Sequence, residues 1–294
     1  MKGIVLAGGT GSRLHPTTLG VSKQLIPVYD KPLVYYSLTT LMLAGLREIL
    51  VVSGPGEVGA YQRLLGTGEQ WGIVLSYDVQ PEPAGIAQAF HVGADFIGGQ
   101  SCALVLGDNI VHGSGLSVKL QAAARVKTGA VVFGYWVNDP RDYGVVTIDG
   151  RGRPIAIEEK PDNPSSHWAV IGLYFYDSQV TELASQLKPS SRGEYEITDL
   201  TRAYLERDQL EVELLGRGYA WLDAGTPDSL LEAATFVNIL EKRQGFKIAC
   251  PEEVAYRMGF IGRAQLDGLI AAMPASSYAS YLAALLDHPA LGAE

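Results

Sequence analysis

Residues 3–31 read GIVLAGGTGSRLHPTTLGVSKQLIPVYDK, and this stretch decides the fold. Its first five residues are mostly apolar and run straight into glycine, as a buried strand does when it enters a loop. Gly8, Gly9 and Gly11 leave out Cβ atoms where a chain must bend or come close to a ligand. Successive N–H groups in such a loop, through Ser12, can form a nest for an anion. Two other phosphate loops are spelled differently. A dinucleotide fingerprint needs a third glycine where Leu14 stands, and an acid ending the second strand where the chain has Ser53-Gly54. A P-loop needs Gly-Lys-Ser/Thr after four intervening residues, which is absent. Arg13 instead follows the glycines directly and Lys23 comes later, with Pro16, Pro27 and Pro32 stiffening the path. A guanidinium fork and an ammonium point charge suit a polyphosphate whose charge is held while one P–O bond breaks. The plainer reading of the same residues is a tight turn beside two solvated cations.

The pattern Leu-Ala-Gly-Gly-x-Gly-x-Arg-Leu-x-Pro over residues 6–16, then Lys23, then Pro-Val-x-Asp-Lys-Pro over 27–32, resembles the signature of the sugar-1-phosphate nucleotidyltransferases. Within them it is most similar to the branch that transfers thymidylyl groups to glucose 1-phosphate. The resemblance runs nearly end to end. It implies a cytoplasmic homotetramer that makes dTDP-glucose and diphosphate from dTTP and α-D-glucose 1-phosphate with Mg²⁺, at the start of dTDP-deoxysugar synthesis such as that of dTDP-rhamnose.

Composition sets bounds of its own. A chain of 294 residues, 47% hydrophobic, can bury one large core or two modest ones. Its net charge of −9 speaks against nucleic acid as a partner, so a basic clamp must be local. Cys102 and Cys250 belong to no CxxC or cysteine-histidine cluster and read as reduced thiols. The stretch before the glycines is too short for a signal peptide. The uncharged run 268–286 is interrupted by Pro274, Ser276 and Ser277, which predicts two packed helices rather than a membrane span.

Along the chain, apolar spacing predicts a helix over 33–46, strands over 49–52 and 73–77 with a helix over 58–65 between them, a helix over 86–96 and a strand over 103–106. That alternation predicts an α/β fold: a Rossmann-like three-layer α/β/α sandwich around a mostly parallel central sheet. Ligands of such sheets bind at the carboxyl ends of the strands, where the glycine loop lies. The runs 130–137, 143–148, 155–159 and 169–176 have turns but no long helices between the first three. They predict added antiparallel strands over the sugar side. Residues 1–246 form the expected catalytic domain, and 247–294 a C-terminal helical segment packed on it, for an interface or regulation.

Asp108 ends a strand facing the glycine loop, where a carboxylate can hold Mg²⁺ against phosphate oxygens; a turn or helix-capping aspartate is the alternative. Asp223, in 219–226 (YAWLDAGT), supplies the second carboxylate, and the pair is the expected metal site. On the sugar side Asn109 follows Asp108, Tyr143-Gly144 offers an approach for a hexose, and Glu159-Lys160-Pro161 places a lysine beside an acid, with Lys160 to grip the sugar phosphate and Glu159 a hydroxyl. Taken alone, Gln80-Pro81-Glu82-Pro83-Ala84-Gly85 reads as a loop. The resemblance implies that Gln80 and Gly85 recognise thymine, that Gln24 lies near the nucleotide, that Val170 lines the sugar-phosphate pocket and that Glu194 and Tyr195 face the sugar. It also implies that the tail builds a tetramer and a second nucleotide site through which a dTDP-sugar end product feeds back.

The expected chemistry needs no general base, since the attacking sugar-phosphate oxygen is already anionic. Arg13, Lys23 and Lys160 are the expected catalytic cations. Relatives often carry Phe-Tyr at Val111-His112, threonine or proline at Ile171, and threonine at Ala224, departures that bear on sugar preference. The rival readings are uridylyl transfer, a silent nucleotide-sugar sensor and, against the missing third glycine, an NAD-dependent sugar reductase.

Overall fold

The computed structural model describes residues 1–287. Four parallel strands form the heart of a nine-stranded sheet: Cys102–Leu106, Lys2–Ala7, Glu48–Ser53 and Val74–Val79, in that spatial order. Alternation along the first strand sends Val5 and Ala7 into one core and Ile4 and Leu6 into another, so both faces of the sheet are covered. Helices Val34–Leu43 and Val58–Leu65 cover the first face, and Gln88–Val92, Val180–Ser185 and Ile197–Leu205 cover the second. The three-layer sandwich is therefore as expected.

The antiparallel addition hangs on one long strand, Trp168–Tyr176, which pairs with Cys102–Leu106 on one side. Along that same edge its first residues, Trp168 and Ala169, pair with Gly144–Ile148, beyond which lies Pro154–Glu159, while the opposite edge pairs with Ala130–Trp136. Beyond Ala130–Trp136 lies Leu210–Leu215, a parallel strand that sequence reading misses. The helix expected over 86–96 breaks at Gly93 into Gln88–Val92 and Ala94–Ile97. There the backbone presses on the sheet so closely that a Cβ would stand 3.0 Å from Ile4 and 3.1 Å from Leu50.

The tail folds onto the first face. Residues 263–287 form two helices, Arg263–Ala272 and Ser277–Asp287, as the broken apolar run predicts, and among the described residues no helix is long and apolar enough to cross a membrane. Val254, Ala255, Leu266 and Leu282 join the same core as Leu38 and Leu41. Trp71 donates from Nε1 to Glu252 Oε1 at 3.1 Å.

A buried ion network ties the tail to the opening stretch. Pro27–Val28 and Lys31–Pro32 pair as a tiny hairpin, and the Lys31 side chain is only 2% exposed. Its ammonium pairs with Asp30 and lies 3.0 Å from Glu241 Oε1, near the end of helix Pro227–Gln244. Lys247 pairs with Asp30 and, at 2.9 Å, with Glu241 Oε2. Burial alone would raise the Asp30 carboxyl, but hydrogen bonds from Lys247 and Lys31 outweigh it and hold the group below the usual carboxylate range. Removing one partner of a buried charge set leaves another uncompensated, at about 3 to 5 kcal/mol. Lys31→Met is expected to lower unfolding free energy in urea by about 3 kcal/mol; a loss under about 1 kcal/mol would mean that Lys247 neutralises both acids alone.

Candidate active site

Strand register gathers the site. Ala7 lies beside Ser53, Ser53 beside Val79, and Leu6 beside Leu106, so four strands end along one edge. The glycine loop, Gly54, Gln80 and Gly107-Asp108 all leave the sheet there. Gly9 and Gly11 take φ of 99° and 57°, the left-handed region that glycine enters without strain. The loop runs into a short turn, Ser12–Leu14, in which Leu14 is buried as an anchor and Arg13 faces the cleft. A second turn, Lys23–Leu25, presents Lys23 and buries Gln24. The Gln24 carboxamide donates to Gly8 O at 3.3 Å and accepts from Ser22 Oγ and the Tyr61 hydroxyl, so it braces the glycine loop from within.

The cleft has a volume of about 640 Å³, and Arg13, Asp108, Tyr143, Lys160 and Asp223 are among its walls. Asp108 and Asp223 meet because Asn109–His112 pairs antiparallel with Ala220–Asp223, with Asn109 opposite Asp223. Lys23 Nζ lies 2.5 Å from Asp108 Oδ2, and Asn109 Nδ2 donates to Asp108 Oδ1 at 2.8 Å. Asn109 also lines the cleft, and its Oδ1 accepts from Trp221 Nε1 at 2.6 Å and from Gly172 N at 3.1 Å, so its carboxamide is held in place beside Asp108.

Asp223 is the unsatisfied member. Its Oδ1 is buried without a hydrogen-bond partner, and burial, then the charge of Asp108, push its carboxyl above the usual carboxylate range. A Cβ on Gly225 would stand 3.0 Å from both Asp223 Oδ1 and Arg13 Nη2, which brings these two groups to one glycine. An orphaned carboxylate oxygen beside a second, oriented carboxylate fits a divalent cation. Among the described residues no cluster of three or more His, Cys, Asp or Glu could hold a metal.

On the opposite wall, Lys160 sits at φ 43° and its N–H donates to Tyr143 O at 3.0 Å, locking the lysine to the Tyr143-Gly144 turn. Its ammonium is half-exposed, 3.9 Å from Glu159 Oε1. Glu159 accepts from Thr198 and from Arg192, which leaves it little freedom. Val170 and Gly144 line the cleft. Glu194 does not; it pairs with Arg192 at 3.6 Å. Gly85, at φ 106°, is needed for a reason other than approach of a base: a Cβ there would lie 2.5 Å from Tyr195 O and 2.6 Å from Tyr195 N. Sequence reading missed Thr198, Asp142 and Trp221, whose ring packs 4.9 Å from that of Tyr143. It also missed the start of helix Pro227–Gln244 as a cleft wall, where Thr226 and Ser229 form a capping box and line the site. The signal was present in Thr226-Pro227, a capping residue before a first-turn proline.

A second cavity, of about 510 Å³, opens between helix Val34–Leu43 and the tail, with Val111, His112, Lys247, Glu253 and Val254 among its walls. Val111 and His112 therefore border this cavity.

The sequence profile of the nucleotidyl transferase family matches residues 2–239. The chain belongs to that family. As a nucleotidyltransferase it has close relatives named glucose-1-phosphate thymidylyltransferase: one from Xanthomonas campestris pv. campestris, 55% identical over 97% of this chain and 96% of the relative, and one from Mycolicibacterium smegmatis, 55% identical over 98% and 99%. A Bacillus anthracis protein assigned as a glucose-1-phosphate thymidylyltransferase, solved with sucrose, superposes with a TM-score of 0.73 at 40% identity, covering 80% of this nucleotidyltransferase and 94% of that chain. A UDP-glucose pyrophosphorylase solved with UDP-glucose shares the fold at a TM-score of 0.70 and 24% identity over 82% and 98% of the two chains.

Proposed function

We propose that the cleft transfers a thymidylyl group from dTTP to α-D-glucose 1-phosphate, giving dTDP-glucose and diphosphate. The observation that carries this reading is the set of charges at the strand ends: Arg13, Lys23, Asp108 and Asp223 on one rim and Lys160 on the other. The names of relatives at 55% identity support the choice of substrates. In the reaction a phosphate oxygen of the sugar attacks the α-phosphorus of dTTP, the bond from that phosphorus to the bridging oxygen breaks, and diphosphate departs with the electron pair. No proton has to move in the step, which agrees with a cleft that no histidine lines among the described residues.

Each cation has a position for its task. Arg13 stabilises the charge that gathers on the α-phosphate and the departing diphosphate, Lys23 assists on the triphosphate and Lys160 holds the sugar phosphate in line. Lys23 rests on Asp108 in this structure, so it keeps the carboxylate neutralised until a nucleotide and its cation arrive. Asp108 and Asp223 would hold Mg²⁺, which would supply Lewis-acid neutralisation of nucleotide oxygens.

The second cavity is the place we assign to feedback by a dTDP-sugar end product, with Val111 and Val254 as apolar walls for a base. A homotetramer, a place at the head of dTDP-deoxysugar synthesis and a cytoplasmic location complete the reading.

Diphosphate release with Mg²⁺ tests it, measured across dTTP, UTP, CTP, ATP and GTP with glucose, galactose, mannose and glucosamine 1-phosphates. The expected result is a preference for dTTP with glucose 1-phosphate, abolished by EDTA. Partial use of UTP is expected, because a methyl-sized pocket discriminates by only about 1 to 3 kcal/mol. No release with any pair, despite binding of nucleotide sugars, would make the chain a sensor.

A further inference from the structure

We propose that Gln88 is a positioning residue that fixes Gln80 with its carboxamide oxygen towards the nucleotide, and so sets the choice among pyrimidines. The inference rests on the reading that the base of dTTP lies at Gln80. Both N–H groups of Gln80 are engaged: Nε2 donates to Gly85 O at 3.2 Å and to Gln88 Oε1 at 2.7 Å. Neither amide can turn over. Gly85 O only accepts, so the atom of Gln80 that faces it must be nitrogen. The Ala84 N–H only donates, and it lies 3.3 Å from the same Gln88 Oε1, so the atom of Gln88 between them must be oxygen. Gln88 stands on the first turn of helix Gln88–Val92, which is anchored in the core through Ala89 and Phe90, and its acceptor position is thereby fixed.

What remains is the Gln80 oxygen. Among the described residues no donor reaches it, and it lies 2.6 Å from where a Cβ on Gly8 would stand, against the glycine loop. Gln80 as a whole is only 5% exposed, so its oxygen is held in a nearly closed place that a base can reach. An acceptor held in such a place selects a base that carries a ring N–H. Thymine and uracil present that donor at N3, whereas cytosine presents a bare nitrogen there and would set two acceptors against each other. A site built to bond an N–H rejects the analogue that lacks it far more strongly than a hydrophobic pocket rejects a methyl. Without Gln88 only the longer bond to Gly85 O, at 3.2 Å, would hold the Gln80 nitrogen in place, and the choice would weaken.

The test compares kcat/KM for dTTP and dCTP in the wild type, Gln88→Met, Gln88→Asn and Gln88→Glu, with KM for glucose 1-phosphate as the control. Gln88→Met removes the acceptor at similar volume, Gln88→Asn withdraws it by one methylene, and Gln88→Glu keeps oxygen in place. The expected result is a fall of about 10-fold or more in the dTTP/dCTP ratio for Gln88→Met and Gln88→Asn, retention of the ratio in Gln88→Glu, and an unchanged sugar-phosphate KM in all three. An undiminished ratio in both Gln88→Met and Gln88→Asn, or an equal loss in Gln88→Glu, would overturn the positioning role. A wild type without preference for dTTP over dCTP would instead overturn the placement of the base at Gln80.

Discussion

Asp223→Asn is expected to leave the fold at least as stable as before and to lower turnover by about 10³-fold. The stability half follows from Asp223 being a burden to the empty cleft: its Oδ1 is buried without a partner and burial and Asp108 disfavour its charge. A neutral amide of the same shape relieves the cost of the charge. The activity half follows from what the oxygen is for. A cation that neutralises phosphoryl oxygens contributes several kcal/mol to the transition state, and each ~1.4 kcal/mol is a factor of ten. A thermal melt and a Mg²⁺ titration of diphosphate release check the two halves. A variant with unchanged turnover would remove Asp223 from the metal site, and a variant that melts much earlier would give it a structural role that its environment does not support.

Arg13→Ala is expected to cut turnover by about 10²- to 10³-fold while changing the KM for glucose 1-phosphate less than about 3-fold. Arg13 makes no hydrogen bond or ion pair with the described residues and lies against Gly225 at the mouth of the metal pair. Its charge is therefore available to a group that arrives with the substrate, and the fold does not depend on it. The sugar phosphate has Lys160 across the cleft, so binding of that substrate survives. Steady-state kinetics separates the outcomes. Unchanged turnover would end the proposed role, and a large rise in the sugar-phosphate KM would move Arg13 to substrate binding.

The parallel half of the sheet was legible because short apolar runs ended in glycine or acid at regular intervals, and the end at Asp108 lines the cleft. Asp108 and Asp223 could be paired from sequence because each is an acid at a strand end. Their contact depends on the ribbon of Asn109–His112 with Ala220–Asp223, which no local pattern announces. The strand Leu210–Leu215 carried a signal in its alternating Leu-Glu-Val-Glu-Leu, but its parallel partner lies far back in the chain, and no local pattern announces that pairing. Nothing local announces the burial of Lys31, which the distant Glu241 makes possible. Asn109 and Gln88 show the same limit at the level of hydrogen bonds. A carboxamide has two unlike ends, and which end faces a ligand is decided by backbone groups that meet it only in the folded chain.

The most direct test of the central claim, a single in-line transfer between two bound substrates, is the stereochemical course at the α-phosphorus. Product formed from one diastereomer of dTTP bearing sulfur on the α-phosphate, with glucose 1-phosphate, would be analysed for configuration. The account predicts inversion, because one oxygen enters as the opposite one leaves. Retention would require two displacements and a nucleotidyl-enzyme intermediate, and would contradict it.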